Sequence, residues 1–313
     1  MNVHKGASNF TSQKNSVVTI GTFDGVHIGH KAILKRLLVS EEKEDLESVL
    51  LTFFPHPRMV LQSDADLKLI NTLSEKKQLL ENFGLDHLVV HPFTKEFSRL
   101  TALEYVRDIL VNKLKAKKII IGYDHRFGRN RTATISHLKE FGETYGFTVE
   151  EITAQELNEV TISSTKIRKA LSEGDIVKAN NYLGYSFMLT GKVVSGKAKG
   201  RTWGFPTANL AVEENYKLIP KKGVYIVYAI IEDKKVYGIT SIGTNPTVGG
   251  TKKTIETFFL DFDHDLYNSH LELKFLAYIR DEIKFEGTGA ENQLIEAIKK
   301  DEQFARAYIK TNG

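Results

Sequence analysis

The sequence predicts an α/β unit followed by an all-β unit, and three observations predict it. Up to about residue 184, short apolar runs alternate with segments of helical period, the pattern of βαβ units on an open parallel sheet. From Phe187 onward the segments are β-like and separated by turns, as in an antiparallel barrel. The chain then closes on one amphipathic segment. A length of 313 residues suits two domains, placed at 1–185 and 186–313.

Each element has its own reason. "SVVTIGTF" and "SVLLTFFP" are buried strands. "HKAILKRLLVSEEKE" between them is a helix with Ile33, Leu34, Leu37 and Leu38 on one side. "LSEKKQLLENFG" is a helix with a Ser/Thr-rich start and a stop at Gly84. "HLVVHPF" is a strand, "ALEYVRDILVNKL" a helix, "AKKIIIGYD" a strand, "ISHLKEFGETYG" a helix and "TVEEI" a strand. "STKIRKALSEG" and "DIVKANNYLG" are short helices closed by glycine. The second half reads as the strands "FMLTGKVV", "GVYIVYAII", "KVYGITSIG", "TIETFFLDF" and "LELKFLAYIR". In the last of these, Leu271, Leu273, Phe275, Ala277 and Ile279 are expected on one face. "AENQLIEAIKKDEQFARAYIK" is a helix with Leu294, Ala297, Ile298 and Phe304 on its apolar side.

Composition narrows the function. Cysteine is absent, so there is no disulfide framework and no Cys-based metal site, which suits a reducing cytoplasm. The polar "MNVHKGASNFTSQKNS" carries no signal core, and no run approaches the roughly 20 apolar residues of a membrane span. No membrane partner is expected. A net charge of +4 suits an anionic small ligand as well as nucleic acid. The "GKAKGR" patch is too short for a nucleic-acid surface and lacks interleaved aromatics.

The densest motif is "GTFDGVHIGH", Gly21 to His30. In parallel α/β folds, ligands bind beyond the carboxyl ends of strands, and here a strand turns into a helix. Free N–H groups and the helix dipole attract phosphate there. Thr22, Phe23 and Asp24 complete the turn, and Gly25 and Gly29 let the backbone approach closely. His27 and His30 are three apart and project to one side, where imidazoles can donate hydrogen bonds to growing negative charge. In "TISSTKIRKAL", Ser163 or Ser164 could simply cap a helix. The same segment also puts hydroxyls, free N–H groups and Arg168 at a second helix N-terminus, the equipment to grip a polyphosphate.

These strings resemble the nucleotidyltransferase superfamily. "GTFDGVHIGH", "FFPHPR", "GYDHRFG" and "ISSTKIR" are similar to the adenylyltransferase half of bacterial bifunctional riboflavin kinase/FAD synthetases. The resemblance implies a Rossmann-like domain that transfers AMP from ATP to FMN, giving FAD and pyrophosphate. It assigns His27 and His30 to the ATP phosphates and Ser164, Thr165 and Arg168 to the far end of the triphosphate. Asp124 becomes a ligand or metal contact, and Pro55, His56, Pro57 and Arg58 shape the flavin side. By itself "PHP" is more often a rigid loop.

In the second half, Gly196, Gly200 and Gly204 with Lys197, Lys199 and Arg201 form a flexible cationic loop. It is either a solvated hairpin or a nest of N–H groups around phosphate, and it is not a P-loop. Thr207 and Asn209, two apart in extended backbone, point to one face as weak ligands for a phosphate-bound Mg²⁺. Glu256 shares a strand face with Phe258 and Leu260. Such a carboxylate is either satisfied by a buried partner or has its pKa raised for proton transfer.

"GKVVSGKAKGRTWGFPTANL", "GVYIVYA", "SIGTNPT" and "IETFFLDFDHDLY" resemble the riboflavin kinase domain of the same family. The resemblance implies a six-stranded antiparallel barrel with a C-terminal helix and phosphorylation of riboflavin by Mg·ATP. Thr207 and Asn209 stand at the metal, Glu256 is the base, and Asn245 and Arg280 join it on the flavin side. Ser195 stands where His is usual, Trp203 where Leu is common and His125 where Phe is typical; Ala198 also departs, and "GRNRTATI" lacks a glycine near Ala133. The expected ligands are therefore ATP, Mg²⁺ and riboflavin, FMN and FAD, and the sequence sets no oligomeric state. Two other readings stay open: one activity retained, or a non-catalytic flavin sensor or RNA-binding regulator.

Overall fold

The structure is a computed structural model describing residues 1–62, 66–153, 156, 162–196, 199–244 and 253–312. The chain divides into two compact units, Met1–Ser164 and Thr165–Gly313. The sequence places its boundary later, at 185/186. The helices Ser164–Glu173 and Ile176–Leu183 supply the physical reason for the difference. The Asn180 amide donates to the Phe275 carbonyl at 2.8 Å and accepts from the Phe187 N–H at 2.7 Å, and Lys221 N–H donates to the Leu171 carbonyl at 3.0 Å.

The first unit holds a parallel sheet as expected. Its strands are β1 (Asn2–Lys5), β2 (Ser16–Ile20), β3 (Glu47–Phe54), β4 (His87–Pro92), β5 (Ala116–Gly122) and β6 (Thr148–Ile152). They lie in the order β1-β4-β3-β2-β5-β6. Side chains alternate across the sheet, and each face has its own core. Val18, Leu51, Val89 and Ile121 pack with Val106, Leu110 and Leu138 on one face. Val17, Leu50, Leu88 and Ile120 pack with Ile33, Leu34, Leu37 and Leu80 on the other. Those last four come from α1 (Ile28–Glu44) and α3 (Leu73–Phe83); the short helix α2 (Pro57–Leu61) lies between them in sequence. A Thr72/Glu75 capping box opens α3 and left-handed Gly84, φ 94°, closes it.

Two elements differ from expectation. The polar "NVHK" forms the edge strand β1, held parallel to β4. The helix expected over "ALEYVRDILVNKL" is α-helical only at Ala102–Glu104 and continues as a π-helix over Tyr105–Val111.

The second unit is a closed antiparallel barrel in the order β10-β11-β8-β7-β12-β9. Its strands are β7 (Met188–Val194), β8 (Thr207–Ala211), β9 (Gly223–Ile231), β10 (Lys234–Gly243), β11 (Thr254–Phe259) and β12 (His270–Arg280). Leu189, Tyr225, Val227, Ile242, Leu273 and Phe275 are buried. Among them, Thr240 and Thr257 face each other in register and share a hydrogen bond of 2.8 Å.

The face expected along β12 is broken. A bulge shifts the register between Phe275, opposite Val227, and Ala277, opposite Ile226. The extra residue turns Ala277 to the other wall, where it packs with Ile226, Ile239, Ala305 and Ile279. The terminal helix Ala290–Asn312 buries Asp301 and Ala305. Phe304, expected on its apolar side, is 52% exposed. The buried stripe runs through Asp301, Ala305 and the packed Tyr308 and Ile309, and Phe304 lies about 100° off it.

The Thr240–Thr257 pair makes a stability prediction. Thr257→Val leaves the Thr240 hydroxyl buried without its partner and costs about 1–3 kcal/mol, and adding Thr240→Val restores most of it. Unfolding followed by the one tryptophan, Trp203 of the barrel unit, measures both. Additive losses in the double variant would remove the pair from the account.

Candidate active sites

The first site lies beyond the carboxyl end of β2. The sheet order puts β3 and β5 on either side of β2, so the chain winds outward in opposite directions from here. This is the topological switch point at which open α/β sheets bind ligands. Both the 21–30 turn and "GYDHRFG" after β5 open onto it.

The turn itself is strained. Phe23, Gly25 and Val26 have φ of 45°, 91° and 38°, a region that a β-branched residue such as Val26 rarely enters. Gly25 therefore serves the turn, whereas Gly29 lies buried in the first turn of α1. A Cβ at Gly21 would press on the Phe23 ring at 3.0 Å. Several bonds hold the turn in place. Asp24, 2% exposed, accepts from the Ile70 N–H at 2.9 Å and the Asn71 N–H at 3.4 Å. The Asp24 carbonyl accepts from Ser164 Oγ at 2.8 Å. The Thr22 carbonyl accepts from Lys76 Nζ at 2.6 Å and Thr52 Oγ1 at 3.2 Å.

The two histidines stack face to face. Their ring centroids are 3.6 Å apart, and His30 also stacks on Phe23 at 4.4 Å. His27 is the N-cap of α1, its Nδ1 accepting from the His30 N–H at 3.4 Å. A helix start favours Ser, Thr, Asp or Asn, and here an imidazole takes that place. The bond fixes the His27 proton on Nε2. Burial pushes His27 down to about 4, against the pull of Asp24. Burial, and then the charges of His27 and Lys76, hold His30 well below the usual histidine range. Both rings are neutral at pH 7, and His30 Nδ1 has no hydrogen-bond partner among the described residues.

The other expected residues fall into place unevenly. Ser164 begins the helix Ser164–Glu173, which also carries Thr165 and Arg168; its hydroxyl goes to the Asp24 carbonyl rather than to its own helix, and Ser163 precedes it. Asp124 is exposed after β5, beside His125, whose pKa burial lowers to about 4. Pro55 follows Phe54 through a cis bond. His56 caps α2 by accepting from the Arg58 N–H at 3.1 Å, with Pro57 at the first helical position.

Sequence reasoning missed Lys76, Thr52 and an aromatic cluster. Lys76 is 5% exposed; its signal was a lysine in phase with Leu80 and Phe83 on the buried side of α3. Phe53 and Phe93 lie 5.8 Å apart at the ends of β3 and β4, and Phe97 lies within 5.7 Å of both.

The second site is on the outer wall of the barrel. Register places Glu256 opposite Asn209, and Phe258 opposite Thr207. Along β11 the buried residues are Ile255, Thr257 and Phe259, so Glu256 and Phe258 face outward. Leu260, expected on the same face, follows the end of the strand and is buried. Glu256 Oε2 accepts from Thr207 Oγ1 at 3.5 Å, the outer limit of a hydrogen bond. The same ladder continues from Glu256 to Ser241, Val224 and Arg280. Arg280 is engaged by Asp301, with bonds of 2.9 and 2.7 Å.

The loop expected to be flexible contains one helical turn, Lys199–Thr202, which includes Gly200 and exposed Arg201. A Cβ at Gly200 would lie 2.3 Å from the Phe205 carbonyl, and one at Gly196 would lie 2.3 Å from Asn209 Nδ2. Lys197, Asn245 and the Lys199 side chain lie outside the described residues. Among the described residues no group of three His, Asp or Glu could hold a metal. The donor set present is a hydroxyl, a carboxamide and a carboxylate beside a glycine that leaves room. These are hard oxygens that suit a Mg²⁺ sharing its shell with phosphate.

Comparison with known proteins matches the two halves of the chain to two families. The FAD synthetase family matches residues 9–166 and the riboflavin kinase family residues 183–309. A bifunctional riboflavin kinase/FMN adenylyltransferase of Listeria monocytogenes is 36% identical, over 94% of this chain and 93% of that protein. One of Escherichia coli is 35% identical, over 99% and 98%. A crystal structure from Streptococcus pneumoniae, described as a macrolide-efflux protein, superposes with a TM-score of 0.86. It is 31% identical, over 97% of this chain and 98% of that one. Among the described residues no helix is long and apolar enough to cross a membrane.

The depressed histidines make a pH prediction. Because His27 and His30 lie below their unfolded value, their contribution to stability is full above about pH 6.5 and is lost as pH falls, for His27 toward 4. Ring ¹⁵N shifts of both are expected to stay those of neutral imidazole from pH 8 to 5. Protonation of either near pH 6 would contradict the burial argument.

Proposed function

The chain belongs to the bifunctional riboflavin kinase/FMN adenylyltransferase family, and we propose that its two sites divide the two ATP-dependent steps between them. The barrel phosphorylates riboflavin to FMN. The first unit joins AMP to FMN, giving FAD and pyrophosphate. The observation that carries the reading is that Thr207, Asn209 and Glu256 meet in strand register while His27 and His30 stack at the switch-point helix, so each family match has its own chemistry.

In the barrel, Glu256 takes the proton of the riboflavin 5′-hydroxyl as that oxygen attacks the γ-phosphorus. The new O–P bond forms as the bond to the β,γ-bridging oxygen breaks, and ADP leaves. The Thr207 hydroxyl, reaching Glu256, orients the carboxylate. Thr207 and Asn209 would hold Mg²⁺, which would supply neutralisation of the phosphate charge. Lacking a Cβ, Gly196 and Gly200 let the backbone lie close to the strands, where any side chain would clash.

In the first unit, an FMN phosphate oxygen attacks the α-phosphorus of ATP and pyrophosphate departs, with no covalent enzyme intermediate. The task is positioning and charge stabilisation. His27 offers its Nε2–H to the phosphates while its Nδ1 stays occupied by the His30 N–H. Being neutral, both histidines act as hydrogen-bond donors and not as fixed charges. Ser164, Thr165 and Arg168 take the far end of the triphosphate, and Asp124 a contact at the mouth. The Phe53, Phe93 and Phe97 cluster beside Pro55–Arg58 offers the flavin ring an aromatic surface. A chain without cysteine that acts on ATP and free flavins is placed in the cytoplasm.

The test is a product chromatogram with Mg·ATP and either riboflavin or FMN. FAD from both substrates is expected. FAD from FMN alone would leave the barrel without chemistry, FMN alone from riboflavin would fault the first site, and no turnover would leave a flavin sensor. Glu256→Gln is expected to cut FMN formation by ~10²-fold or more while FMN-to-FAD conversion survives. His30→Ala reverses that pattern. Loss of both steps in either variant with the fold intact would rule out independent sites.

A further inference from the structure

A lysine on a buried helix face is unusual, because burying an ammonium is costly unless something requires the charge. Lys76 of α3 is 5% exposed and in phase with Leu80, a fully buried core residue. A methionine of similar volume would fill that place without a charge. The hydrogen bond that Lys76 makes does not explain its choice on stability grounds. The Thr22 carbonyl it reaches at 2.6 Å already accepts from Thr52 Oγ1.

The location does explain it. The Thr22 carbonyl is the last point of the chain before the left-handed residues Phe23, Gly25 and Val26. The site that receives a polyphosphate is furnished with two uncharged imidazoles. Arg168 is assigned to the far end of the triphosphate; at the near end, beside the uncharged imidazoles, the strained turn needs a clamp and a charge held by the fold.

Resting on the adenylyl-transfer reading, we propose that Lys76 is a positioning residue for that step. Its ammonium locks the 22–26 turn through the Thr22 carbonyl and places a fixed positive charge within reach of Asp24 and His30. The Asp24 carboxylate faces it from the turn, and His27 and His30 from the start of α1. β3 contributes the uncharged Thr52. On its own helix, the Glu75 carboxylate is engaged by the Thr72 N–H at 2.9 Å. Burial lowers Lys76 to about 8, with Asp24 opposing the shift. The fixed charge is therefore present at pH 7 and lost above about 8. The same charge helps to keep His30 neutral.

The linkage separates this role from a structural one. A lysine whose folded pKa lies below its unfolded value makes folding less favourable at pH 7, and stability rises as pH climbs from about 8 toward 10.5. Lys76→Met removes that cost. A purely structural lysine would lower the melting temperature when replaced, whereas a positioning lysine lowers activity and leaves the melting temperature unchanged or raised.

The experiment uses the full chain and measures kcat and KM for FMN-to-FAD conversion between pH 6.5 and 9.5, with riboflavin phosphorylation as the internal control. Wild-type kcat/KM for FAD formation, which reports the free enzyme, is expected to fall above about pH 8 along a one-proton limb. Lys76→Met is expected to lower kcat about 10- to 100-fold at pH 7, to lack that limb, and to phosphorylate riboflavin within twofold of wild type. FAD formation within twofold of wild type, or an unchanged limb in the variant, overturns the proposal. If the variant does not fold, the wild-type profile decides, and a flat profile through pH 8 overturns it. Wild type that makes no FAD from FMN at any pH refutes the functional reading instead.

Discussion

A strand buried on both faces must leave the sheet at Ile20, reverse, and open a helix at Ile28 with its first N–H groups still available. The chain manages this with three left-handed residues among the four from Phe23 to Val26, each non-glycine one costing about 1–2 kcal/mol. Such backbone persists only when its surroundings over-determine it. Asp24 draws in the N–H groups ahead of α3, its carbonyl holds Ser164, and the Thr22 carbonyl is gripped from β3 and from α3. The buried capping box at Thr72 and Glu75 and the stacked Phe23–His30–His27 column follow from that geometry. The edge proposed to face the phosphates is thus fixed by the protein's own bonds, which is the condition for electrostatic catalysis without reorganisation.

The alternation of strands and helices was legible because nearly every element of the sheet is long, apolar and closed by a glycine or a cap. β1 was not, since an edge strand needs pairing partners more than apolar residues, and "NVHK" gives no alternating signal. The motifs suggested both candidate sites because their residue types are tied to phosphate chemistry. The wiring inside them was hidden. Nothing in "VHIGH" says that His27 spends one nitrogen on capping α1, and nothing in "SEKKQLL" distinguishes a solvated lysine from one turned inward. The bulge in β12 was illegible for a related reason: "LELKFLAYI" alternates without a break, and only the register with β9 shows where the alternation changes wall. Phe304 misled for the opposite reason, being apolar while the buried place one position along the helix belongs to Ala305.

Arg280 illustrates how burial and chemistry share a residue type. Its fork meets Asp301 through two bonds, and desolvation raises Asp301 against the pull of that arginine. The pair ties the end of β12 to the terminal helix in the ladder row that also contains Glu256. An arginine read from sequence as a ligand contact thus also anchors the element that closes the barrel.

The outward placement of Glu256, with Thr257 turned inward beside it, has an evolutionary consequence. Along β11, outward positions, where the proposed site lies, alternate with positions that fill the barrel. Selection for substrate affinity and selection for foldability therefore act on separate columns of the same strands. Ser195 and Trp203 can change without touching the interior column, and the interior can be repacked without moving Glu256, the proposed base. A barrel arranged in this way can vary its proposed site at little cost to the interior, while the outer wall keeps its own cohesion where Val224, Ile226, Ile239 and Ala277 pack with Ala305 of the terminal helix.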